Sequence, residues 1–167
     1  MQKLLILDRD GVVNNEYGDV YKEEDFSFTP GFFEMCKKYQ DKGFKIVVCS
    51  NQSGIAKGLF TLEQYKNITY YMVDECRKNN VFIEKSYVCP HRDSDNCSCH
   101  KPAPGMILKA IKDFDASVKM SVAVGDKMSD IDAYHAAGLK KIYFLQAENP
   151  VRERDFDFKI VNSLEEI

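Results

Sequence analysis

The chain has no long apolar run. Its start, Met1-Gln2-Lys3, leads into only four apolar residues before Asp8, fewer than a secretory signal or a membrane span requires. A cytoplasmic location follows as the expectation. An excess of positive charge is also lacking: 23 Lys and Arg stand against 26 Asp and Glu, a formal net charge of -3, with the basic residues scattered. That balance provides no field to hold a nucleic-acid backbone or an anionic membrane, so neither is expected as a partner. Internal repeats and low-complexity tracts are absent too. What remains is a chain of 167 residues with 44% hydrophobic content, enough for one domain over 1–167 with a substantial core. Six cysteines are present, and without an export signal their thiols should stay reduced, so clustered cysteines read as metal ligands rather than disulfides.

Short apolar runs at 4–7, 44–49, 86–88, 122–124 and 142–145 contain no proline and are mostly rich in Val and Ile, which predicts buried parallel strands. Helices are predicted between them. One covers 31–42 and is closed by Gly43; a second covers 61–79, opens on the capping box Thr61-Leu62-Glu63-Gln64 and aligns Leu62, Tyr65, Ile68, Met72 and Cys76 on one stripe. Helices over 105–114 and 129–137, the latter followed by Gly138, complete the set, and a short strand near 158–161 precedes a last helical turn after Ser163. Strands alternating with helices imply an α/β fold, a doubly wound, Rossmann-like parallel sheet flanked by helices. Ligands of such sheets bind beyond the carboxyl ends of the strands. Two segments break the alternation: 14–30, polar and aromatic, reads as a flap, and 89–104 as a loop. Neither is long enough for a separate cap domain, so the fold should be capless.

The first run ends in Asp8-Arg9-Asp10-Gly11. Extended backbone turns alternate side chains to one side, so both carboxylates can face one pocket. There, with Mg²⁺ holding one oxygen, an ionised Asp8 can attack phosphorus, while Asp10 protonates the departing oxygen and later activates water. An isolated Asp-x-Asp is more often a pair of solvated loop acids; the remaining strand ends change that balance. Ser50-Asn51-Gln52-Ser53-Gly54 follows the second run and can present a hydroxyl and backbone N–H groups to phosphoryl oxygens. Gly125-Asp126-Lys127-Met128-Ser129-Asp130 follows the fourth, with carboxylates suited to a hard cation, although Ser129 or Asp130 could simply cap the next helix. Lys101 supplies positive charge between them. An acid pair, a hydroxyl, a lysine and a second acid pair, in that order, are hard to attribute to accident.

Cys89-Pro90-His91 and Cys97-Ser98-Cys99 offer three thiolates and an imidazole, a tetrahedral Zn²⁺ set of the closed, structural kind. Free cysteines would be a poor alternative, because Cys97 and Cys99 sit in a polar run with no core to bury them. Zinc would pin the loop and so fix Lys101. Cys36, Cys49 and Cys76 read as core residues, His135 as a packing or helix-surface residue, and Phe26, Phe28, Phe32 and Phe33 as packing between the flap and the first helix.

On these motifs the sequence resembles the haloacid dehalogenase superfamily of aspartate-nucleophile phosphatases, over roughly 4–145. The resemblance implies that Asp8 is phosphorylated, Asp10 is the general acid/base and Ser50 and Lys101 hold the phosphoryl group. It also implies that Asp126 completes the Mg²⁺ site with Asp8 and the backbone carbonyl of Asp10, leaving Asp130 to act through water or through other ligands. Asp-Arg-Asp-Gly, Ser-Gly-Ile-Ala-Lys-Gly and Lys-Pro-Ala-Pro-Gly-Met narrow the resemblance to the capless, zinc-loop branch that acts on heptose bisphosphates in bacterial surface-polysaccharide synthesis, ahead of the related histidinol-phosphate phosphatases. A small sugar phosphate is then the implied substrate, met by Glu16, Tyr17, Gly18, Asp19, Asn51, Gln52, Ser53, His100, Lys101 and Lys127, in a monomeric enzyme. The branch usually carries arginine before the motif lysine. Here His100 replaces that bidentate clamp with a group only partly charged near neutral pH, which weakens the expected contact to a second phosphate.

Two other classes compete. A two-component receiver is also doubly wound, but its accepting aspartate follows the third strand, where this chain has Cys89 and the loop. A zinc-stabilised interaction module requires the acids to be solvated.

Overall fold

A computed structural model describes residues 1–147 and 149–167. Among the described residues, six parallel strands form one sheet: β1 (Lys3–Leu7), β2 (Phe44–Asn51), β3 (Ile83–Cys89), β4 (Val122–Gly125), β5 (Lys141–Leu145) and β6 (Lys159–Val161), in the order β3-β2-β1-β4-β5-β6. The chain winds outward from β1 to β3, then returns to the other side of β1 through β4. This reversal opens a crevice beyond the carboxyl ends of β1 and β4, the position at which doubly wound sheets bind ligands.

Alternation along the strands divides the core between the two faces. Leu5, Leu7, Ile46 and Val48 pack against Met35 and Tyr39 of α1 (Phe32–Asp41) and Ile68 and Met72 of α2 (Leu62–Lys78). On the other face Leu4, Ile6, Val47 and Cys49 meet Ile107 and Ala110 of α3 (Gly105–Asp113) and Ile131 and Tyr134 of α4 (Met128–Ala136). Each large aliphatic side chain removed from water stabilises the fold by about 1.5–3 kcal/mol, so these two layers carry the sheet. Cys36, Cys49 and Cys76 belong to them, all fully buried. Among the described residues no segment outside these elements forms a cap domain, and no helix is long and apolar enough to cross a membrane.

Local signals set most element ends. At the start of α2, the Thr61 hydroxyl accepts from the Gln64 N–H at 3.1 Å and the Gln64 side chain accepts from the Thr61 N–H at 2.8 Å, the reciprocal capping box. Leu62, expected on the buried stripe, is instead 42% exposed, because it is the first helical residue and lies at the end of that stripe. β3 starts at Ile83 and not at residue 86: as an edge strand it carries exposed Glu84 and Lys85, which a search for apolar runs passes over. β2 continues through Ser50 and Asn51, two residues beyond the apolar run at 44–49.

The segment 14–30 does form a flap on the sheet's ligand-binding edge. Asn14 bridges to both Asp10 and Phe28, Val20 and Phe26 are buried, and the Phe28 ring packs against Phe26, Phe32 and Phe33 with centroids 5.1, 5.5 and 4.6 Å away. His135 stacks on Phe156 at 3.7 Å, a packing role.

Candidate active site

A cleft of about 560 Å³ opens beyond the strand ends, and Asp8, Asp10, Gln52, Lys101, Lys127 and Asp130 are among its walls. At its floor Lys101, 2% exposed, uses all three ammonium donors: to Asp8 Oδ1 at 2.8 Å, to Asp130 Oδ1 at 2.7 Å and to the Cys49 carbonyl at 2.8 Å. Burial works against the charged ammonium, but Asp130 and Asp8 outweigh it and hold Lys101 protonated. Asp8 is pushed up to about 6, chiefly by burial and secondarily by Asp130, against the lowering pull of Lys101. Its reactive form therefore depends on the positive charge gathered around it.

The backbone of Lys101 is fixed as firmly as its head. Asn51 Oδ1 accepts the Lys101 N–H at 3.0 Å, and Asn51 Nδ2 donates to the Lys101 carbonyl at 3.0 Å. Asn51, expected against the substrate, lines the cleft but spends its amide on this clamp. Gln52 behaves similarly, since its Nε2 donates to Asp10 Oδ2 at 2.7 Å and to Ser50 Oγ at 2.8 Å. Ser50, expected to hold the phosphoryl group, is 1% exposed and is not among the residues that line the cleft.

Asp126 lies behind Gly11 and lines a second cavity of about 670 Å³ rather than the cleft. A Cβ on Gly11, which has φ +94°, would come within 2.0 Å of Asp126 Oδ2, so only glycine lets the two loops approach this closely. Asp126 is pushed up to about 10 by burial first, then by Asp8 and Asp130. Its Oδ2 accepts from Asn149 at 3.2 Å, while Oδ1 is buried with no partner among the described residues. Carboxylate oxygens of Asp8, Asp126 and Asp130 all lie within 4.8 Å of one another. Three crowded acids, one with an orphaned buried oxygen, fit a hard divalent cation that would neutralise them. Asp130 does more than expected from its place in the sequence. Besides holding Lys101, its Oδ2 accepts the N–H groups of Asp126 at 3.2 Å and Lys127 at 3.1 Å, ordering the β4–α4 turn.

Of the remaining residues expected near substrate, Glu16, Gly18, Asp19, Ser53, His100 and Lys127 line the cleft. Lys127 and Glu16 are paired at 2.7 Å, which ties the flap to the β4–α4 turn. Tyr17 does not join them: it is 70% exposed and borders the second cavity.

Beside the cleft, ligand atoms of Cys89, His91, Cys97 and Cys99 gather within 4.8 Å of one another. The Cys89–Cys97, Cys97–Cys99 and Cys89–Cys99 sulfur separations are 3.6, 3.5 and 2.9 Å, and His91 Nδ1 is 3.3 Å from Cys99 Sγ. Zn–S bonds of about 2.3 Å imply tetrahedral edges of roughly 3.8 Å, so two of the three sulfur pairs are near the spacing for zinc and the Cys89–Cys99 pair would have to open by roughly 0.9 Å. Gly105 N–H closes the loop onto the Ser98 carbonyl at 2.9 Å. The His100 N–H donates to Cys97 Sγ at 3.3 Å, and its ring Nδ1 lies 3.8 Å from Cys89 Sγ, so this residue joins the cluster to the cleft.

Comparison with known proteins gives the same picture at the level of whole chains. The chain is 39% identical to D-glycero-alpha-D-manno-heptose-1,7-bisphosphate 7-phosphatase of Campylobacter jejuni, over 99% of this chain and 93% of that protein. It is 38% identical to D-glycero-beta-D-manno-heptose-1,7-bisphosphate 7-phosphatase of Helicobacter pylori, over 90% and 87%. The crystal structure of D,D-heptose 1,7-bisphosphate phosphatase from B. bronchiseptica, complexed with magnesium and phosphate, superposes with a TM-score of 0.85 at 28% identity, over 98% and 94% of the two chains. The haloacid dehalogenase-like hydrolase family matches residues 1–138, spanning the acid pair, the Ser50 strand end, Lys101 and Asp126. On its fold, its cleft and this match, the chain belongs to the haloacid dehalogenase-like hydrolases.

Proposed function

We propose that the protein is a Mg²⁺-dependent phosphatase that removes the 7-phosphate of D-glycero-D-manno-heptose 1,7-bisphosphate through an aspartyl-phosphate on Asp8. The observation that carries the chemistry is the contact of Lys101 Nζ with Asp8 Oδ1 at 2.8 Å, beside carboxylate oxygens of Asp8, Asp126 and Asp130 that lie within 4.8 Å of one another. The substrate is supported by the relatives, which carry heptose bisphosphate names and cover nearly the whole chain. That support does not extend to histidinol phosphate.

Asp8, the backbone carbonyl of Asp10 and Asp126 would hold Mg²⁺, which when bound neutralises the carboxylates and the phosphoryl oxygens. Asp8 attacks phosphorus as the bond to the sugar oxygen breaks, and Asp10 gives that oxygen its proton. Water then attacks the phosphorus and passes a proton to Asp10 as the bond from phosphorus to Asp8 breaks, which frees inorganic phosphate and restores the Asp8 carboxylate. Ser50 and Lys101 hold the phosphoryl oxygens through both steps, in keeping with a reaction catalysed mainly by positioning and charge. Glu16, Gly18, Asp19, Ser53, His100 and Lys127 surround the sugar, with Asn51 and Gln52 acting through their neighbours. Cys89, His91, Cys97 and Cys99 would hold a structural Zn²⁺. The whole chain acts as a single domain, as a monomer in the cytoplasm, in the synthesis of heptose for the bacterial cell surface.

The test is a panel of both anomers of the heptose bisphosphate and histidinol phosphate, ranked by kcat/KM with and without Mg²⁺. The heptose bisphosphate should lead, yielding the 1-phosphate, and Asp8→Asn should reduce kcat by at least about 10⁴-fold. Preference for histidinol phosphate would overturn the substrate, and equal turnover by Asp8→Asn would overturn the nucleophile.

A further inference from the structure

Arg9, between the two acids, is fully buried. A side chain of this charge is almost never buried without a partner, and its partners define what it does here. Its Nε and Nη2 donate to Asp10 Oδ1 at 3.2 and 2.8 Å, and Nη2 also donates to the Val20 carbonyl of the flap at 2.6 Å. The guanidinium lies 5.4 Å from the centre of the Tyr65 ring, which walls it off on the α2 side. It has no outlet to the cleft and is not among its lining residues.

Asp10 Oδ1 also accepts from Asn14 Nδ2 at 2.9 Å. A carboxylate oxygen has two lone pairs, so the Arg9 fork and Asn14 together saturate Oδ1. Oδ2 is different. Its one protein partner among the described residues is Gln52 Nε2 at 2.7 Å, which leaves it a free lone pair. We infer that Arg9 is a positioning residue that fixes Asp10 so that Oδ2 alone carries the transferable proton. Lysine could supply the charge but not the planar fork that fixes both the carboxylate and the flap carbonyl. The inference rests on Asp10 being the general acid, and the experiment separates the two.

A misdirected acid hurts only when the leaving oxygen needs a proton. The comparison is therefore the loss of kcat/KM on heptose 1,7-bisphosphate, which releases an alkoxide, against the loss on 2,4-dinitrophenyl phosphate, which releases a stable phenolate. For Asp10→Asn the first loss should exceed the second by on the order of 10²-fold, the usual size of a general-acid contribution. For Arg9→Met the excess should be at least about tenfold, and for Arg9→Lys several-fold, with folding checked by the thermal midpoint. If Arg9→Met does not fold, Arg9→Lys decides. Equal losses on both substrates for the Arg9 variants, beside a clear excess for Asp10→Asn, would show that Arg9 merely supports the fold and would overturn the inference. Equal losses for Asp10→Asn would remove the acid reading, and the inference with it.

Discussion

The cleft and the cysteine–histidine loop are neighbours built on opposite principles. The cleft is assembled from the ends of separate strands: Lys101 and Asp8, in contact, are 93 residues apart, and the Asn51 clamp on Lys101 spans 50. Its polar groups are buried and bonded to one another on a close-packed sheet. The loop draws all four ligands from 89–99, and from His91 to Ser98 none of its residues is fully buried. Burial of side chains gives the first its shape; the second gathers three thiols and an imidazole where a core would stand. Lys101 stands where they meet, with its ammonium in the cleft and its chain two residues beyond Cys99.

Replacing that lysine tests the cleft most severely. Lys101→Met leaves Asp8 and Asp130 facing each other without their cation and should lower kcat by about 10³-fold and stability by about 3 kcal/mol, read from turnover and the denaturant midpoint. Cys97→Ser tests the loop. It should abolish zinc content by elemental analysis and lower kcat by about 10²-fold through loss of Lys101 placement, with β-sheet circular dichroism kept. Retention of full activity without zinc would mean that the Asn51 clamp alone fixes the lysine, and the two regions would be independent.

The metal-free protein offers a finer comparison. Asp126 has its folded value raised to about 10, so the stability it permits is complete below the unfolded Asp value of about 4 and is lost as pH rises toward 10. Asn cannot ionise. Metal-free Asp126→Asn should therefore exceed metal-free wild type in thermal midpoint by a margin that grows from pH 5 to pH 8, reaching a few °C. Excess Mg²⁺ should close that margin. The smallest effect is expected at the seam between the regions, where His100→Arg should lower KM several-fold for a bisphosphate and not for a monophosphate. Equal changes for both would show that this side chain does not meet the second phosphate.

Much of this was legible in the residues because the signals were local. The unbroken apolar run Leu4 to Leu7 marks a buried strand, Thr61 and Gln64 mark a helix start, and Asp8 and Asp10 both line the cleft, although the strand ends at Leu7 and a turn at Arg9 carries Asp10 there. The roles of Asn51, Gln52 and Asp130 were not legible in the same way. Periodicity says which face of its own element a side chain takes, but not which atom from another strand will arrive in front of it. Arg9 shows the limit most clearly: nothing in Asp-Arg-Asp marks it out, and it is fully buried because the flap and α2 close over it.

The sequence by itself determined the wound α/β architecture, the cysteine–histidine cluster and the carboxylates at the strand ends, because each depends on spacings of a few residues. Only the tertiary structure decided which of these groups touch, which amides are spent on the protein and which carboxylate oxygen stays free. Those outcomes depend on distances between segments that no local pattern encodes and that the packing of the sheet fixes.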